Sequence, residues 1–154
     1  MLDNINGSII MKKRWMLAFA VACLVLACTA KRNMNTGSDQ LDGTWELDYI
    51  SGPRIAFEGL YPNQKPFMKI EVDSNRISGH TSCNRFFGKL HRSGNQISFK
   101  EGLGMTKMAC PGEGESTFVN TLQKIDKYAL SNDGKTLNLL MGDIALMRFQ
   151  RQGE

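Results

Sequence analysis

Most of the chain after Leu41 alternates apolar and polar residues in short runs. Trp45–Ile50 (WELDYI) and Phe67–Val72 (FMKIEV) do so almost without interruption, which is the period of a strand with one buried face. Gly, Asn, Asp and Pro separate the runs, as they do between the strands of sandwiches and barrels. The pattern predicts a mainly β domain over residues 41–150.

Turn-forming residues between the runs predict three hairpins. The turns are Asp73–Asn75, Arg92–Asn95 and Asn132–Lys135, which join Phe67–Val72 to Arg76–Gly79, Phe86–Leu90 to Gln96–Phe99, and Tyr128–Leu130 to Thr136–Met141. Gly142 and Asp143 then lead into a last strand, Ile144–Phe149. These pairings predict an antiparallel sheet.

Glu113–Lys127 departs from the strand pattern. Phe118, Leu122 and Ile125 recur at helical spacing, which predicts an amphipathic helix that docks on the sheet or closes one end of a barrel. Acidic residues lie near its predicted start, and Lys124 and Lys127 lie at its predicted end, as the helix dipole favours. A partner-binding helix is the alternative.

The N-terminus carries a different pattern, because Lys12–Arg14 precede an uncharged apolar run, Trp15–Ala27. This layout predicts a signal peptide over residues 1–27. The run is shorter than the ~20 residues of a membrane-spanning helix. Met11 directly precedes the basic cluster, so it is an alternative start of translation.

The apolar run ends in Val25-Leu26-Ala27-Cys28, which resembles a bacterial lipobox. The small residue before Cys28 suits a peptidase that must fit the backbone beside the scissile bond. We expect cleavage before Cys28 and attachment of acyl chains such as palmitate, which hold the protein on a membrane. Residues 28–40 are polar and predict a flexible tether. In the alternative, Cys28 is an ordinary cysteine of a secreted protein.

Charge gives little indication of a polyanionic partner. The full sequence has a net charge of +4, and removing residues 1–27 leaves +2. Arginine and lysine form no evident stripe with aromatic residues, so we expect no nucleic-acid partner. We also expect a monomer without a cofactor.

Cys83 and Cys110 remain after the predicted cleavage. An exported protein meets an oxidising compartment, which favours a disulfide between them. A metal site is the alternative, with His80 and His91 completing a Cys2His2 set that zinc would accept. We expect the disulfide and no metal.

The residues around these cysteines resemble the META domain of the heat-shock protein HslJ family. The shared residues are Gly79, Cys83, Asn84, Gly88, Thr106, Met108, Ala109, Cys110, Glu115, Phe118 and Leu122, and the Gly43–Leu47 opening also fits. The resemblance implies a small antiparallel β-barrel-like fold with one packed helix. It also implies a role in envelope stress tolerance and no known enzymatic reaction.

Each motif residue outside the cysteines has a structural interpretation as well. Asn84 suits a left-handed or side-chain-bonded turn, Gly79 and Gly88 suit bulges or close approaches, and Thr106 suits a local hydroxyl hydrogen bond. We expect Met108 and Ala109 to share this structural role. The alternative is that these residues contact a ligand.

For function, the sequence contains none of the common nucleophile, phosphate-loop or metalloprotease motifs. We therefore expect a non-enzymatic lipoprotein on the periplasmic face of a Gram-negative outer membrane, binding a protein or envelope component. The Gly52–Pro66 loop is a candidate contact loop through Phe57, Leu60 and Tyr61, or these residues cap the barrel. The alternative function is a carrier of a small apolar ligand inside the barrel.

Overall fold

The structure is a computed structural model, and it describes residues 40–153. The predicted signal peptide, Cys28 and residues 28–39 of the predicted tether lie outside the described residues. Within residues 40–153, neither helix has the length and hydropathy that crossing a bilayer would need.

Residues 40–153 form ten strands and two helices. In chain order they are β1 (Gly43–Ile50), α1 (Phe57–Leu60), β2 (Phe67–Glu71), β3 (Arg76–His80), β4 (Arg85–Lys89), β5 (His91–Ser93), β6 (Gln96–Ser98), β7 (Gly104–Met105), α2 (Gly114–Leu122), β8 (Lys127–Leu130), β9 (Thr136–Met141) and β10 (Ile144–Arg151). The alternating runs at β1 and β2 bury Trp45, Leu47, Met68 and Ile70 on one face. Two apolar residues depart from the pattern: a β-bulge after Leu47 leaves Tyr49 exposed, and Phe67 lies on the other face.

All strands belong to one antiparallel sheet, in the order β5-β6-β8-β9-β10-β1-β2-β3-β4-β7. Strands β4 and β5 lie near opposite ends of that order, yet Leu90 alone separates them in the chain. The sheet therefore curls until its two ends approach each other. The predicted mainly β, barrel-like fold is confirmed.

Helix α2 fills the concave side of the curled sheet. Phe118 packs between β4 and β10. Its ring centroid lies 5.8 Å from that of Phe86 on β4 and 6.5 Å from that of Phe149 on β10. Leu122 and Ile125 are also fully buried, as the predicted stripe requires. The other fully buried large residues include Trp45, Leu47, Met68, Ile70, Ile77, Ile97, Phe99, Leu137, Leu139 and Met147.

The second predicted hairpin is wrong in its strand pairing. Gly94 and Asn95 form a two-residue turn, with Gly94 at φ 58°, so the residues that flank this turn pair with each other. The partners are β5 and β6, and β4 pairs instead with β3 and with the short strand β7. The tightness of the turn decides the partner, because a two-residue turn leaves no slack for Phe86–Leu90 to reach Gln96–Phe99.

The predicted helix is too long at its C-terminal end. Helix α2 ends at Leu122, and Lys127 opens strand β8, where it pairs with Leu140. Pairing within the sheet overrides the helical spacing of the sequence here. Lys127 therefore does not face the helix end, and its Nζ lies 3.2 Å from Asp143 Oδ1.

Candidate functional site

Cys83 and Cys110 are joined by a disulfide that connects the β3–β4 turn to the loop before α2. Their Cα atoms lie 5.9 Å apart. A carboxylate oxygen of Glu115 lies within 4.8 Å of both sulfurs. Because each sulfur is bonded to the other, neither is a thiolate ligand, and the alternative zinc site lacks half of its ligand set.

The two histidines of that alternative have other neighbours. The His80 ring stacks on Phe67, with centroids 6.1 Å apart and planes at 6°. His91 Nε2 lies 3.6 Å from Glu101 Oε2. The two histidines thus lie on the sheet, beside Phe67 and Glu101 respectively.

Asn84 connects three segments through its buried side chain, which is 1% exposed. Its amide oxygen accepts hydrogen bonds from Thr106 Oγ1 at 2.7 Å and from the Met108 N–H at 2.9 Å. Its amide nitrogen donates to the Met108 carbonyl at 3.0 Å and to Glu115 Oε1 at 3.1 Å, and lies 3.0 Å from Cys110 Sγ. A side chain with both ends satisfied fixes the relative positions of the turn, the loop and the helix.

Thr81 completes the connection on the other side of the turn. It is fully buried, and its hydroxyl donates to Glu115 Oε2 at 2.6 Å. The Asn84 N–H donates to the same hydroxyl at 3.0 Å, and the Thr81 N–H donates to the Asn84 carbonyl at 2.8 Å. We call Thr81, Asn84, Thr106, Glu115 and the disulfide the motif network.

One sequence prediction about this network holds in one of its two forms, and another is wrong. Asn84 bonds through its side chain, while the left-handed backbone of the turn is at Ser82, at φ 88°. The Thr106 hydroxyl bond is not local, because it reaches Asn84 Oδ1 and accepts from the Arg85 N–H at 3.1 Å. Thr81 was absent from the sequence prediction, since a lone threonine beside a turn gives no signal of a long-range bond.

The other motif residues divide into two groups. Gly79 and Gly88 allow close approach: a Cβ at Gly79 would overlap the Phe67 carbonyl oxygen and lie 2.7 Å from the Phe86 ring, and one at Gly88 would lie 2.8 Å from Leu103 Cδ2. Met108 contributes its backbone to the network while its side chain is exposed. Nothing in the structure explains Ala109, which is exposed.

The Gly52–Pro66 loop turns its apolar residues inward. Leu60 and Tyr61 are buried, and the Phe57 ring meets the Tyr61 ring edge-on with centroids 5.1 Å apart. The Tyr61 hydroxyl donates to the Gly114 carbonyl at 3.1 Å, and burial raises the pKa of Tyr61 to about 12. This placement agrees with capping of the core beside α2, and leaves Leu60 and Tyr61 turned away from a partner.

A different surface is exposed on the outer side of β2, β3 and β4. Three rows of paired residues cross these strands: Phe67–His80–Arg85, Lys69–Ser78–Phe87 and Glu71–Arg76–Lys89. We call these nine residues the cationic face. Phe87 stands at its edge with 64% of its surface exposed.

Glu71 is the one acidic residue of the cationic face. Its carboxylate lies 3.0 Å from Lys69 Nζ and 3.6 Å from Arg76 Nε. The hydrogen bond and charge of Lys69 lower the pKa of Glu71. The sequence prediction missed this face, although adjacent residues of a strand point to opposite sides, so one of Phe86 and Phe87 had to face outward.

Comparisons with known proteins agree with this fold. A protein from Burkholderia xenovorans solved by NMR has a TM-score of 0.60 at 23% identity, covering 77% of this chain and 88% of its own. A DUF4847 family protein from Bacteroides vulgatus, in a crystal structure, has a TM-score of 0.52 at 13% identity, covering 77% and 98%. Among curated proteins, no sequence matches this chain.

The sequence model of the META domain matches residues 39–154, which contain all ten strands, both helices and the whole motif network. The motif that the sequence shares with the HslJ-like proteins is thus the set of residues that joins the β3–β4 turn to α2. On the match over this length, the chain belongs to the META domain family.

Proposed function

We propose that this chain is the precursor of an exported lipoprotein, anchored through Cys28 to the periplasmic face of an outer membrane. In this proposal its META domain is a non-enzymatic binding scaffold that contributes to envelope maintenance or stress tolerance. The tether of residues 28–40 separates the lipid from the first strand. The basic cluster and apolar run before Cys28 support the export step.

The observation that carries the non-enzymatic part is the internal satisfaction of the motif network. The side chain of Asn84 and the hydroxyls of Thr81 and Thr106 bond to one another or to Glu115 and to backbone groups. A catalytic group must present a lone pair or proton to a substrate. These groups instead hold the fold together, so the motif supports a structural role.

A binding role uses groups that face outward. The cationic face offers an exposed aromatic ring among basic side chains, and aromatic and arginine side chains are frequent at contact surfaces. The carrier alternative receives less support, because Phe118, Leu122 and Ile125 occupy the concave side of the sheet without exposed surface. An apolar ligand there would have to displace them.

Palmitate labelling in cells tests the anchor. We expect wild-type protein to incorporate the label and Cys28→Ser to lose it and, once exported, to be freed from the membrane fraction. Cys23→Ser is the matched control, since Cys23 lies inside the apolar run, and it should label normally. Labelling of Cys28→Ser, or loss of label in Cys23→Ser, would contradict the anchor.

Complementation tests the scaffold. In a strain lacking this gene, we expect the wild-type gene to restore survival after heat challenge, Phe87→Ser to restore it poorly, and Ile144→Ser to restore it fully. Ile144 is a matched control because it is 62% exposed and lies on β10, outside the cationic face. Full restoration by Phe87→Ser, at equal protein level, would exclude this face from the function.

A further inference from the structure

Positive charge in the described domain is concentrated on the cationic face. Residues 40–153 contain fourteen lysines and arginines and twelve aspartates and glutamates, a net charge of +2. The face holds four of the basic residues, Lys69, Arg76, Arg85 and Lys89, and only Glu71 among the acidic ones, a net charge of +3. The rest of the domain therefore has a net charge of −1.

The neighbouring strand does not cancel this charge. The pairing of β1 with β2 brings Glu46 next to Phe67, at the margin of the face. Glu46 Oε1 lies 3.4 Å from Lys65 Nζ, so the charge of Lys65 balances that of Glu46. The net positive charge of the face is thus preserved at this border.

Phe87 is held in a fixed place although it is exposed. It pairs with Gly104 on β7, and a Cβ at Gly104 would lie 2.6 Å from the Phe87 ring. The Phe87 ring thus lies over Gly104, which has no side chain in that space. Surface grooves flank the ring on both sides. One is lined by Arg76 and Lys89 together with Glu71 and Glu101, and the other by Arg85 and His80 without an acidic residue.

We propose that the cationic face docks on a bilayer surface by binding anionic lipid headgroups. Basic side chains near an anionic surface are attracted to it, and aromatic rings favour the boundary between headgroups and acyl chains. The outer face of the curled sheet is convex, so the protruding ring and the basic residues beside it reach a bilayer surface first. Single-stranded nucleic acid favours a succession of aromatic rings along a groove, whereas Phe87 is the one strongly exposed ring of this face.

This proposal deepens the proposed function, since it names the envelope component that the domain would bind. The thirteen residues of the predicted tether span at most about 45 Å when extended. A domain on such a tether can turn its cationic face towards the bilayer that holds its lipid. Docking would then bring β3 and β4 against the headgroups while the motif network stays on the inner side.

Vesicle sedimentation tests the docking without the lipid anchor. The chain from residue 28, with Cys28→Ser, contains every described element and is mixed with phosphatidylglycerol or phosphatidylcholine vesicles. We expect partitioning to the first and not to the second, and a loss of partitioning as salt rises from low to high concentration. The double variant Arg85→Glu with Lys89→Glu should reduce partitioning by at least about tenfold.

Two matched controls separate the face from general charge. Lys124→Glu with Lys135→Glu makes the same charge change at exposed positions elsewhere and should partition within about twofold of the parent, because attraction falls off within a Debye length. Phe87→Ser should reduce partitioning, and Ile144→Ser should not. Thermal melts of each variant confirm that it is folded.

Three outcomes would overturn the docking. They are no partitioning of the parent to phosphatidylglycerol, an equal loss in both double variants, and preferential binding of a single-stranded oligonucleotide. Each leaves the palmitate labelling at Cys28 untouched, so the anchor and the docking can fail separately.

Discussion

The two sides of the β3–β4 hairpin use polar residues in opposite ways. At its inner corner, Thr81 and Asn84 turn their side-chain polar groups toward the domain, where the loop and α2 satisfy them. On its outer side, Arg85 and Lys89 face solvent beside Phe87. The first arrangement fixes the fold, and the second leaves charge free to act on something outside. Substitutions on the two sides should therefore separate stability from binding.

Asn84→Ala should give the largest loss of stability. It removes a buried amide and leaves Thr106 Oγ1 and the Met108 N–H without their acceptor. The Asn84 amide makes four hydrogen bonds, each worth about 1 kcal/mol net, so we expect a loss of about 4 kcal/mol in the free energy of unfolding. Urea denaturation measures it. Asn132→Ala, in the exposed β8–β9 turn, is the control, and an equal loss there would remove the special role of Asn84.

Removal of the disulfide should come next. Cys83 and Cys110 are 27 residues apart, and closing such a loop constrains the unfolded chain by about 3.5 kcal/mol. We expect Cys83→Ala with Cys110→Ala to lose about this much in urea denaturation, as should wild-type protein in reductant. The double variant should not respond to reductant. A response would indicate that reduction acts on something other than this bond.

Tyr61→Phe should have a smaller and pH-dependent effect. Loss of the hydrogen bond to the Gly114 carbonyl should cost about 1 kcal/mol at neutral pH. Folding raises the pKa of Tyr61 from 10.0 to about 12, so the unfolded chain loses this proton first as pH rises. The contribution of Tyr61 is therefore complete below pH 10 and lost between pH 10 and about 12.

Thermal melts of both proteins across that range measure this effect. The melting temperature of wild-type protein should fall more steeply with pH than that of Tyr61→Phe. Parallel curves would mean that the Tyr61 hydroxyl ionises as readily in the folded protein as in the unfolded chain.

Phe87→Ser should have the smallest effect on stability, because most of the ring is already exposed. We expect a change within about 0.5 kcal/mol in urea denaturation, similar to that of Ile144→Ser. This is the sharpest test of the comparison, since the same substitution should reduce binding. A loss of 2 kcal/mol or more would show that cover over Gly104 is the main role of the ring.

Local patterns in the sequence predicted the parts of the fold that local physics controls. The alternation of β1 up to Leu47 and of β2 after Phe67, and the stripe of Phe118 and Leu122, each mark one buried face. The partner of β4 could not be predicted in the same way, because the choice depended on which strand the tight turn at Gly94 brings into register. Strand β7, with only two residues, is too short to show a period.

The candidate site, like the fold, could be predicted from the sequence only in part. The disulfide could be inferred from two cysteines and an oxidising compartment. The connection of Asn84 to Glu115 could not, because 31 residues separate them and their meeting depends on where α2 docks. The cationic face was visible only after β2, β3 and β4 were set in register, since its basic residues are scattered along the sequence.

Leu90 gives the curled sheet a property that hydrogen bonds alone would not. It is the single residue between β4 and β5, so the covalent chain itself joins strands that lie near the two ends of the strand order. Such a tie persists under any solvent condition that leaves the chain intact. β4 and β5 thus stay close together even when the hydrogen bonds between strands loosen. The covalent chain therefore contributes to the closure of the sheet alongside those hydrogen bonds.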